Sequence, residues 1–197
     1  MTKTALRAAC VSVAVATAFS AIVGVAGPAS ADRVIHRDAR HDVMKVVFDE
    51  TGTDDLVRAP RVREGDVTRA MIDHRYRRVV IKLRYAELTR STQHIEIAEL
   101  RTSNKALFGL VLFGFDGQDQ VRLIGREDSR CKGLWSEVDY RENTIKLSVP
   151  RRCLDNPEWV RVGVGYITMT RTKIFLDDAL SSRVRDNLTM TRRLYRN

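Results

Sequence analysis

Cysteine, proline and reactive motifs are scarce in this sequence, and each shortage narrows the functions to consider. The chain has three cysteines and four prolines in 197 residues. No Cys-x-x-Cys, His-Glu-x-x-His or Gly-x-Ser-x-Gly segment occurs, so the signatures of a thiol-redox site, a zinc protease and a serine-hydrolase elbow are missing. No repeat, low-complexity tract or Pro/Gly-rich linker divides the chain, which predicts one domain of ordinary size.

No stretch after residue 26 is apolar enough to cross a membrane, whereas the N-terminal region is almost entirely apolar. Two basic residues, Lys3 and Arg7, precede an uncharged stretch at 8–26, and the triplet Ala29-Ser30-Ala31 follows. A basic start, an apolar middle and a small-x-small end are typical of a secretory signal peptide, which we predict over residues 1–31. The alternative is an N-terminal membrane anchor, because the run is nearly long enough to span a bilayer. With cleavage after the triplet, the mature chain has no membrane span.

Lysine is rare, since only 7 of the 34 basic residues are lysine and the others are arginine. The formal net charge is nevertheless +9 at pH 7. This surplus favours attraction to anionic polymers such as cell-wall phosphates or acidic polysaccharide. The alternative is the arginine bias of GC-rich coding, because charge alone indicates solubility and non-specific binding.

Cys131 and Cys153 bracket a segment that has the pattern of a β-hairpin. Apolar residues alternate with polar ones on both sides of the polar turn Arg141-Glu142-Asn143-Thr144. Folding the two arms together brings the cysteines to within about one residue of register, an offset that a bulge can absorb. We therefore predict a Cys131–Cys153 disulfide in an exported chain. A catalytic thiol or a metal site is the alternative, but no histidine lies near either cysteine in the sequence.

Short apolar and β-branched segments recur along the chain, separated by turn signals such as Asp116-Gly117. The segments Leu107–Phe115 and Trp159–Met169 are long runs with a strand pattern, and in His94–Thr102 the apolar residues are Ile95, Ile97 and, as a further candidate, Leu100. This regular spacing predicts an all-β fold, an antiparallel β-sandwich that is jelly-roll-like and carries one disulfide.

The polar ends of the mature chain are expected to lie outside the sandwich. We place a loose polar lead-in at 32–42, the sandwich domain at 43–180 and a basic C-terminal tail at 181–197. The tail is either a frayed end or a last strand with charged flanks. The best helix candidate is the short segment 177–186.

Two segments, EGDVTRAMIDHRYRRVVIKLRY and SVPRRCLDNPEWVRVGVGY, resemble small exported proteins of GC-rich Gram-positive bacteria. In these proteins, a Gly-Asp-hydrophobic-Thr opening leads to a strand ending in Asp-His and then to a strand of alternating valine and arginine. The resemblance covers the region from Phe48 to Thr170. It implies a β-sandwich similar in strand layout to carbohydrate-binding jelly-roll-like modules, and it implies no catalytic residue.

An acidic segment, FDETGTDDL, follows the first apolar strand of the predicted sandwich. Calcium takes about six to eight oxygen ligands, commonly gathered from loops. Asp49 and Asp54 from this segment, together with Asp66 before a later strand, are the predicted ligands of a calcium site. The spacing does not match an EF-hand loop, and the alternative is a solvated acidic loop with turn-forming residues. No other cofactor is required.

Histidines offer two further candidate sites. His36 and His41 in the lead-in could ligate zinc or copper, although their spacing suits neither a helix nor a strand. Asp73 and His74 end a predicted strand, and such a pair could be half of a hydrolytic triad completed by a serine or an aspartate from a distant loop. The alternative for this pair is a turn cap at the end of the strand.

Basic and aromatic residues interleave in the segment DHRYRRVVIKLRY. Lys82 and Arg84 have the opposite parity to the apolar residues of their strand, so we expect them on the outer face of a sheet. Together with Tyr76, Arg78 and Trp135, they are the candidate ligand-binding residues, suited to stacking on sugar or contacting phosphate or sulfate. The alternative is an ordinary exposed sheet face.

The leading hypothesis is a secreted, non-enzymatic β-sandwich protein that binds an extracellular or cell-envelope ligand, either a glycan or an anionic polymer. The alternatives are a secreted hydrolase based on Asp73 and His74, and a protein-binding or inhibitory module that uses an exposed sheet edge. Nucleic acid is not an expected partner, because the sequence contains no recognised nucleic-acid module. The oligomeric state is left open.

Overall fold

The computed structural model of the protein describes residues 32–48, 54–90, 93–115, 118–125 and 131–196. The predicted signal peptide, the side chains of Asp49 and Asp54 and the Asp116-Gly117 turn therefore lie outside the described part of the molecule. Within the described ranges, no helix is long and apolar enough to cross a bilayer.

Two antiparallel sheets contain the strands of the described residues. Sheet A has five strands in the order β1-β4-β5-β10-β9, and sheet B has the order β3-β2-β12-β11-β6-β7-β8, with β13 also paired to β11. The strands are β1 (Asp32–Arg37), β2 (Met44–Phe48), β3 (Asp54–Arg58), β4 (Val67–His74), β5 (Arg78–Tyr85), β6 (Gln93–Thr102), β7 (Leu107–Phe115), β8 (Gln118–Ile124), β9 (Trp135–Asp139), β10 (Thr144–Pro150), β11 (Trp159–Met169), β12 (Ile174–Asp178) and β13 (Leu194–Tyr195). A short 3₁₀ helix, Arg151–Leu154, follows β10.

The core lies between the two sheets and follows directly from the alternation of each strand. In β5 the odd-numbered residues from Val79 to Tyr85 are buried, whereas Lys82 and Arg84 are exposed. The facing strand β11 buries Val160, Val162 and Val164 completely. Each such side chain contributes roughly 1.5–3 kcal/mol by leaving water. The predicted all-β sandwich with one disulfide is confirmed.

The disulfide lies where the hairpin pattern predicts it. Cys131 and Cys153 are bonded with their Cα atoms 5.6 Å apart, and both half-buried cysteines pack against the core. Between them, β9 and β10 pair from Ser148↔Trp135 to Thr144↔Asp139. Asn143 in the turn has a positive φ of 52°, a conformation that asparagine tolerates better than most residues.

The polar lead-in differs from the prediction, whereas the tail takes one of its two predicted forms. Residues 32–37 of the lead-in form β1, which pairs with β4 along its whole length, so this part of the chain is a strand of sheet A. The tail crosses the outer face of β11, where Leu188 and Met190 cover Gly163. A Cβ atom at Gly163 would lie 2.8 Å from the Met190 sulfur, so glycine permits this close approach. The tail then ends in β13, which is the last strand with charged flanks.

The helix predicted at 177–186 does not form. Asp177 and Asp178 end strand β12 and are buried. Asp178 accepts hydrogen bonds from the backbone N–H groups of Leu180 and Thr189 at 3.0 and 2.9 Å. These contacts hold the chain in an irregular path, because the Asp178 carboxylate takes the place of the backbone carbonyls that would accept from these N–H groups in a helix.

Candidate functional site

A basic surface covers the outer side of sheet A. We define the basic face as Arg37, Arg69, Lys82, Arg84 and Lys146. The strand register places Arg37 of β1 opposite Arg69 of β4, and Arg69 opposite Arg84 of β5. In the next row, Lys82 of β5 lies opposite Lys146 of β10. Like charges directly opposite on neighbouring strands are destabilising, so this arrangement is unfavourable unless an anion lies on it.

Among the described residues, carboxylates compensate the basic face only at its β9 side. Lys146 lies 3.9 Å from Glu137, whereas Arg37, Arg69, Lys82 and Arg84 form no salt bridge with any residue that the structure describes. A groove of about 390 Å³ runs between the cations of β4, β5 and β10 and the acidic residues Glu137, Asp139 and Glu142. Within the described part of the chain, no carboxylate pairs with the basic-face cations of β1, β4 and β5, which leaves them available to a ligand.

The predicted ligand-binding residues separate into three positions. Lys82 and Arg84 lie on the basic face, as the strand parity predicts, and Trp135 lies at its edge, 42% exposed and with the Lys146 ammonium 4.8 Å from its ring centroid. Arg78 instead binds Ser148 Oγ and the carbonyl of Gly133 at 2.6 and 2.7 Å. Tyr76 lies beyond the sheet, in the β4–β5 turn.

A second candidate site is a buried carboxylate cluster of Asp38, Asp42 and Asp177. One carboxylate oxygen of each lies within 4.8 Å of the others. Asp38 and Asp42 come from the connection between β1 and β2, and Asp177 comes from β12. The Asp38 side chain and the whole of Asp42 are each only 1% exposed. The fold therefore concentrates negative charge where two sheets meet.

The hydrogen bonds around this carboxylate cluster satisfy only some of its oxygens. Asp177 Oδ2 accepts from the Val67 N–H at 2.7 Å, and Asp38 Oδ1 accepts from the Ala39 N–H at 2.9 Å. Both oxygens of Asp42 and Oδ2 of Asp38 are buried without a partner among the described residues. Such groups are rare in proteins and are costly unless an ion or a proton occupies them.

The electrostatics of the carboxylate cluster favour a bound cation or bound protons. Burial raises the pKa of Asp38 to about 8, and the negative charge of Asp42 adds to the effect. Burial likewise raises the pKa of Asp177 to about 8, with the charge of Asp38 as a further cause. Burial also raises the pKa of Asp42. The three carboxylates supply only oxygen donors, which hard cations prefer. These residues could therefore hold a metal ion.

The predicted calcium ligands overlap with this region in one residue. Asp66 is fully buried, and its charge contributes to the raised pKa of both Asp38 and Asp177. Its Oδ2 accepts from the His41 N–H at 3.1 Å, while Oδ1 has no partner among the described residues. Asp66 thus borders the carboxylate cluster, whereas the placement of Asp49 and of the Asp54 side chain lies outside the described residues.

The structure gives the surroundings of each histidine candidate. His36 Nε2 lies 3.6 Å from Asp38 Oδ1, and His41 donates its backbone N–H to Asp66. Among the described residues, neither histidine belongs to the carboxylate group that could hold a metal ion. Asp73 and His74 project to opposite faces of β4. Asp73 accepts from Arg33 and Arg75 on the outer side, while His74 Nδ1 donates to the Leu194 carbonyl in the interior. The two do not form a catalytic dyad.

A buried polar network inside the sandwich was not predicted from the sequence. On β6, the predicted apolar residue Leu100 is buried together with His94, Glu96 and Ala98, whereas Ile95 and Ile97 are half-buried on the other side. Tyr85 donates a hydrogen bond to Glu96 at 3.1 Å, and its ring packs 4.6 Å from that of Tyr166. Burial raises the pKa of Glu96 to about 8. A neutral carboxyl explains how a glutamate occupies a core position.

Replacement of Glu96 with glutamine is expected to flatten the pH dependence of stability. A native pKa of about 8 lies above the unfolded value, so the native state holds the proton longer. The wild type therefore loses stability from about pH 4.5 as the pH rises through about 8, at about 1.4 kcal/mol per pH unit for one proton. Glutamine does not titrate, so Glu96→Gln removes the contribution of one proton.

Urea unfolding at several pH values measures this effect as a slope. A constant offset between the two proteins at every pH would show that Glu96 is ionised in the native state and would contradict the assignment. Half-buried Glu99 on the opposite side of β6 provides the matched control, because Glu99→Gln is expected to leave the slope unchanged.

No protein-family model matches this chain, and no curated protein is similar to it. The fold and the two candidate sites therefore define the class of protein. It is an antiparallel β-sandwich with a basic outer sheet face and a buried carboxylate cluster.

Proposed function

We propose that this protein is exported and binds an anionic polymer of the extracellular space or the cell envelope through the basic face. The observation that carries the proposal is the strand register, which places Arg37, Arg69 and Arg84 side by side and Lys82 opposite Lys146. A fold gains nothing from these like-charge pairs. An anionic ligand would turn the repulsion into attraction.

The spacing of the basic face suits an extended ligand better than a single small ion. Neighbouring strands are about 4.8 Å apart, and residues on the same side of a strand are about 7 Å apart. The cations therefore form a lattice over which successive phosphate, sulfate or carboxylate groups of one chain can lie. Trp135 at the edge adds an aromatic surface next to Lys146, which would favour a polymer with sugar units.

Two features support an extracellular location. The disulfide Cys131–Cys153 is typical of proteins that fold in oxidising compartments. The predicted signal peptide points the same way.

Binding to dextran sulfate is expected to be saturable, to weaken as salt is added and to require the basic face. Exchange of Arg69 and Arg84 for glutamine removes two cations that have no salt-bridge partner in the described structure. We expect the double variant to bind dextran sulfate about tenfold more weakly at low salt. The slope of the logarithm of its association constant against the logarithm of the salt concentration should be shallower by about two.

The matched control is the double variant Arg122→Gln/Arg171→Gln, which removes the same charge from exposed positions in β8 and after β11. Equal weakening by both double variants would show that net charge alone drives binding and would contradict a specific face. If the wild type binds neutral dextran as tightly as dextran sulfate, the ligand is not selected for its negative charge. If Trp135→Ala then loses the binding of neutral dextran, the surface binds an uncharged glycan.

A second proposal concerns the carboxylate cluster, which we assign to calcium. The observation behind it is the pair of unpartnered oxygens on Asp42, a residue that is 1% exposed. Calcium prefers carboxylate oxygens and is plentiful outside cells. An ion between Asp38, Asp42 and Asp177 would fasten the β1–β2 connection to β12. One calcium ion bound per chain in equilibrium dialysis is the direct test.

A further inference from the structure

A compact arginine-lined pocket lies at one end of the sandwich, apart from both sites described above. The β4–β5 turn contributes Tyr76 and Arg77, and the 3₁₀ helix after β10 contributes Arg151 and Arg152. Asn156 and Arg196 complete the wall, and the pocket has a volume of about 310 Å³. The fold brings these residues together from three separate parts of the chain.

Arg151 is the fixed centre of this arginine pocket. It is only 6% exposed, and its guanidinium donates to the carbonyls of Tyr76 and Asn156 at 2.7 and 3.0 Å. The backbone N–H of Arg151 donates to the backbone carbonyl of Arg77 at 2.9 Å. The guanidinium is therefore held in one orientation before any ligand arrives, which lowers the entropic cost of binding.

Among the residues that the structure describes, no carboxylate lines the pocket to balance this charge. The wall consists of four arginines, one tyrosine and one asparagine, and none of the four arginines forms a salt bridge within the described ranges. Arg151 Nε is buried without a hydrogen-bond partner among the described residues. Arg196 acts on Arg151 as a like charge. A buried guanidinium without a counter-charge is costly, and a bound anion would remove that cost.

We propose that this arginine pocket binds a tetrahedral oxyanion, phosphate or sulfate, either free or carried on a larger molecule. Guanidinium groups match the oxygens of such anions with paired N–H donors. The exposed arginines Arg77 and Arg196 can turn toward the anion while Arg151 stays fixed. This proposal is independent of the basic face, because the pocket is formed by other residues and takes one small anion per chain rather than a polymer.

Titration with inorganic phosphate and with sulfate, at constant ionic strength set by sodium chloride, tests the proposal. NMR spectroscopy is expected to show saturable binding of one anion per chain, with the largest shifts at Arg77, Arg151 and Asn156. The double variant Arg77→Gln/Arg196→Gln should bind at least about tenfold more weakly, since each charge-assisted contact carries a large part of the affinity. Arg151→Gln should abolish binding where it still folds.

Two charge-matched variants separate this arginine pocket from general attraction. Arg122→Gln/Arg171→Gln, which lies in neither site, is expected to bind phosphate as the wild type does, and Arg69→Gln/Arg84→Gln reports any phosphate bound at the basic face. An equal loss in Arg77→Gln/Arg196→Gln and Arg122→Gln/Arg171→Gln, or no saturable binding of either anion, overturns the proposal. Tighter binding of glycerol phosphate oligomers than of inorganic phosphate supports an anion carried on a polymer, and equal affinity supports the free anion.

Discussion

Replacement of Asp42 with asparagine is expected to stabilise the calcium-free protein and to abolish its stabilisation by calcium. Asp42 is buried beside Asp38 and Asp177, and neither of its carboxylate oxygens has a partner among the described residues. Without a cation, the variant loses a destabilising negative charge. With calcium, the variant lacks a ligand, so the same substitution has opposite effects in the two conditions.

The pH dependence of the calcium effect follows from the raised pKa values. The pKa of Asp38 and of Asp177 is about 8, above the unfolded value, so their protonated forms favour the calcium-free native state. Their contribution to stability is present at low pH and is lost as the pH rises through about 8. Calcium requires the ionised forms, so the stabilisation that it provides should increase over the same interval.

Thermal unfolding with EDTA and with calcium measures both effects. At about 100 times the dissociation constant, one bound ion stabilises by about 2.7 kcal/mol, which corresponds to a rise of about 5–10 °C in the melting temperature. We expect this rise in the wild type and in Asp186→Asn, a control at an exposed position, and no rise in Asp42→Asn. A variant that responds to calcium as the wild type does would exclude the carboxylate cluster as the site.

Removal of the disulfide is expected to lower the free energy of unfolding by about 3 kcal/mol, the value for a loop of this size. The two cysteines are separated by 22 positions in the sequence, and their bridge closes the β9–β10 hairpin. It acts chiefly by restricting the unfolded chain, so the double variant Cys131→Ala/Cys153→Ala should keep the sandwich. The melting temperature should fall by about 6–12 °C.

Chemical denaturation of the variant, and of the wild type with and without a reducing agent, checks the origin of this loss. The reduced wild type should match the variant, because both lack the same constraint. A loss below about 1 kcal/mol would show that the hairpin does not depend on the bridge. Free thiols at these two positions in the purified protein would contradict the pairing itself.

Much of the fold could be predicted because strand formation leaves a local pattern. Leu107–Phe115 and Trp159–Met169 form strands with the predicted ends, since long apolar runs need burial on both faces of a sheet. The hairpin between the cysteines also follows from local alternation. Strand β1 was missed because its pattern is too polar to read as a buried strand, and it forms only where β4 offers an edge.

The candidate sites depended on information that no local pattern contains. Lys82 and Arg84 were expected on an outer face from parity alone, and they lie there. Their alignment with Arg69 and Lys146 follows from strand register, which joins residues distant in sequence. Glu96 was missed as a core residue because the isoleucines outweigh it in the pattern of β6, although Tyr85 and burial keep that carboxyl neutral in the core.

The sequence by itself determined an all-β sandwich with one disulfide and an outward-facing set of basic residues, because each of these depends on alternation or spacing within a short segment. Only the tertiary structure decided where charge accumulates. Asp38 and Asp42 meet Asp177 because β12 packs beside the β1–β2 connection, and Arg151 meets Arg77 and Arg196 because three chain segments end at one edge of the sandwich. Electrostatic interactions act through space, so residues far apart in the sequence set the charge of both sites.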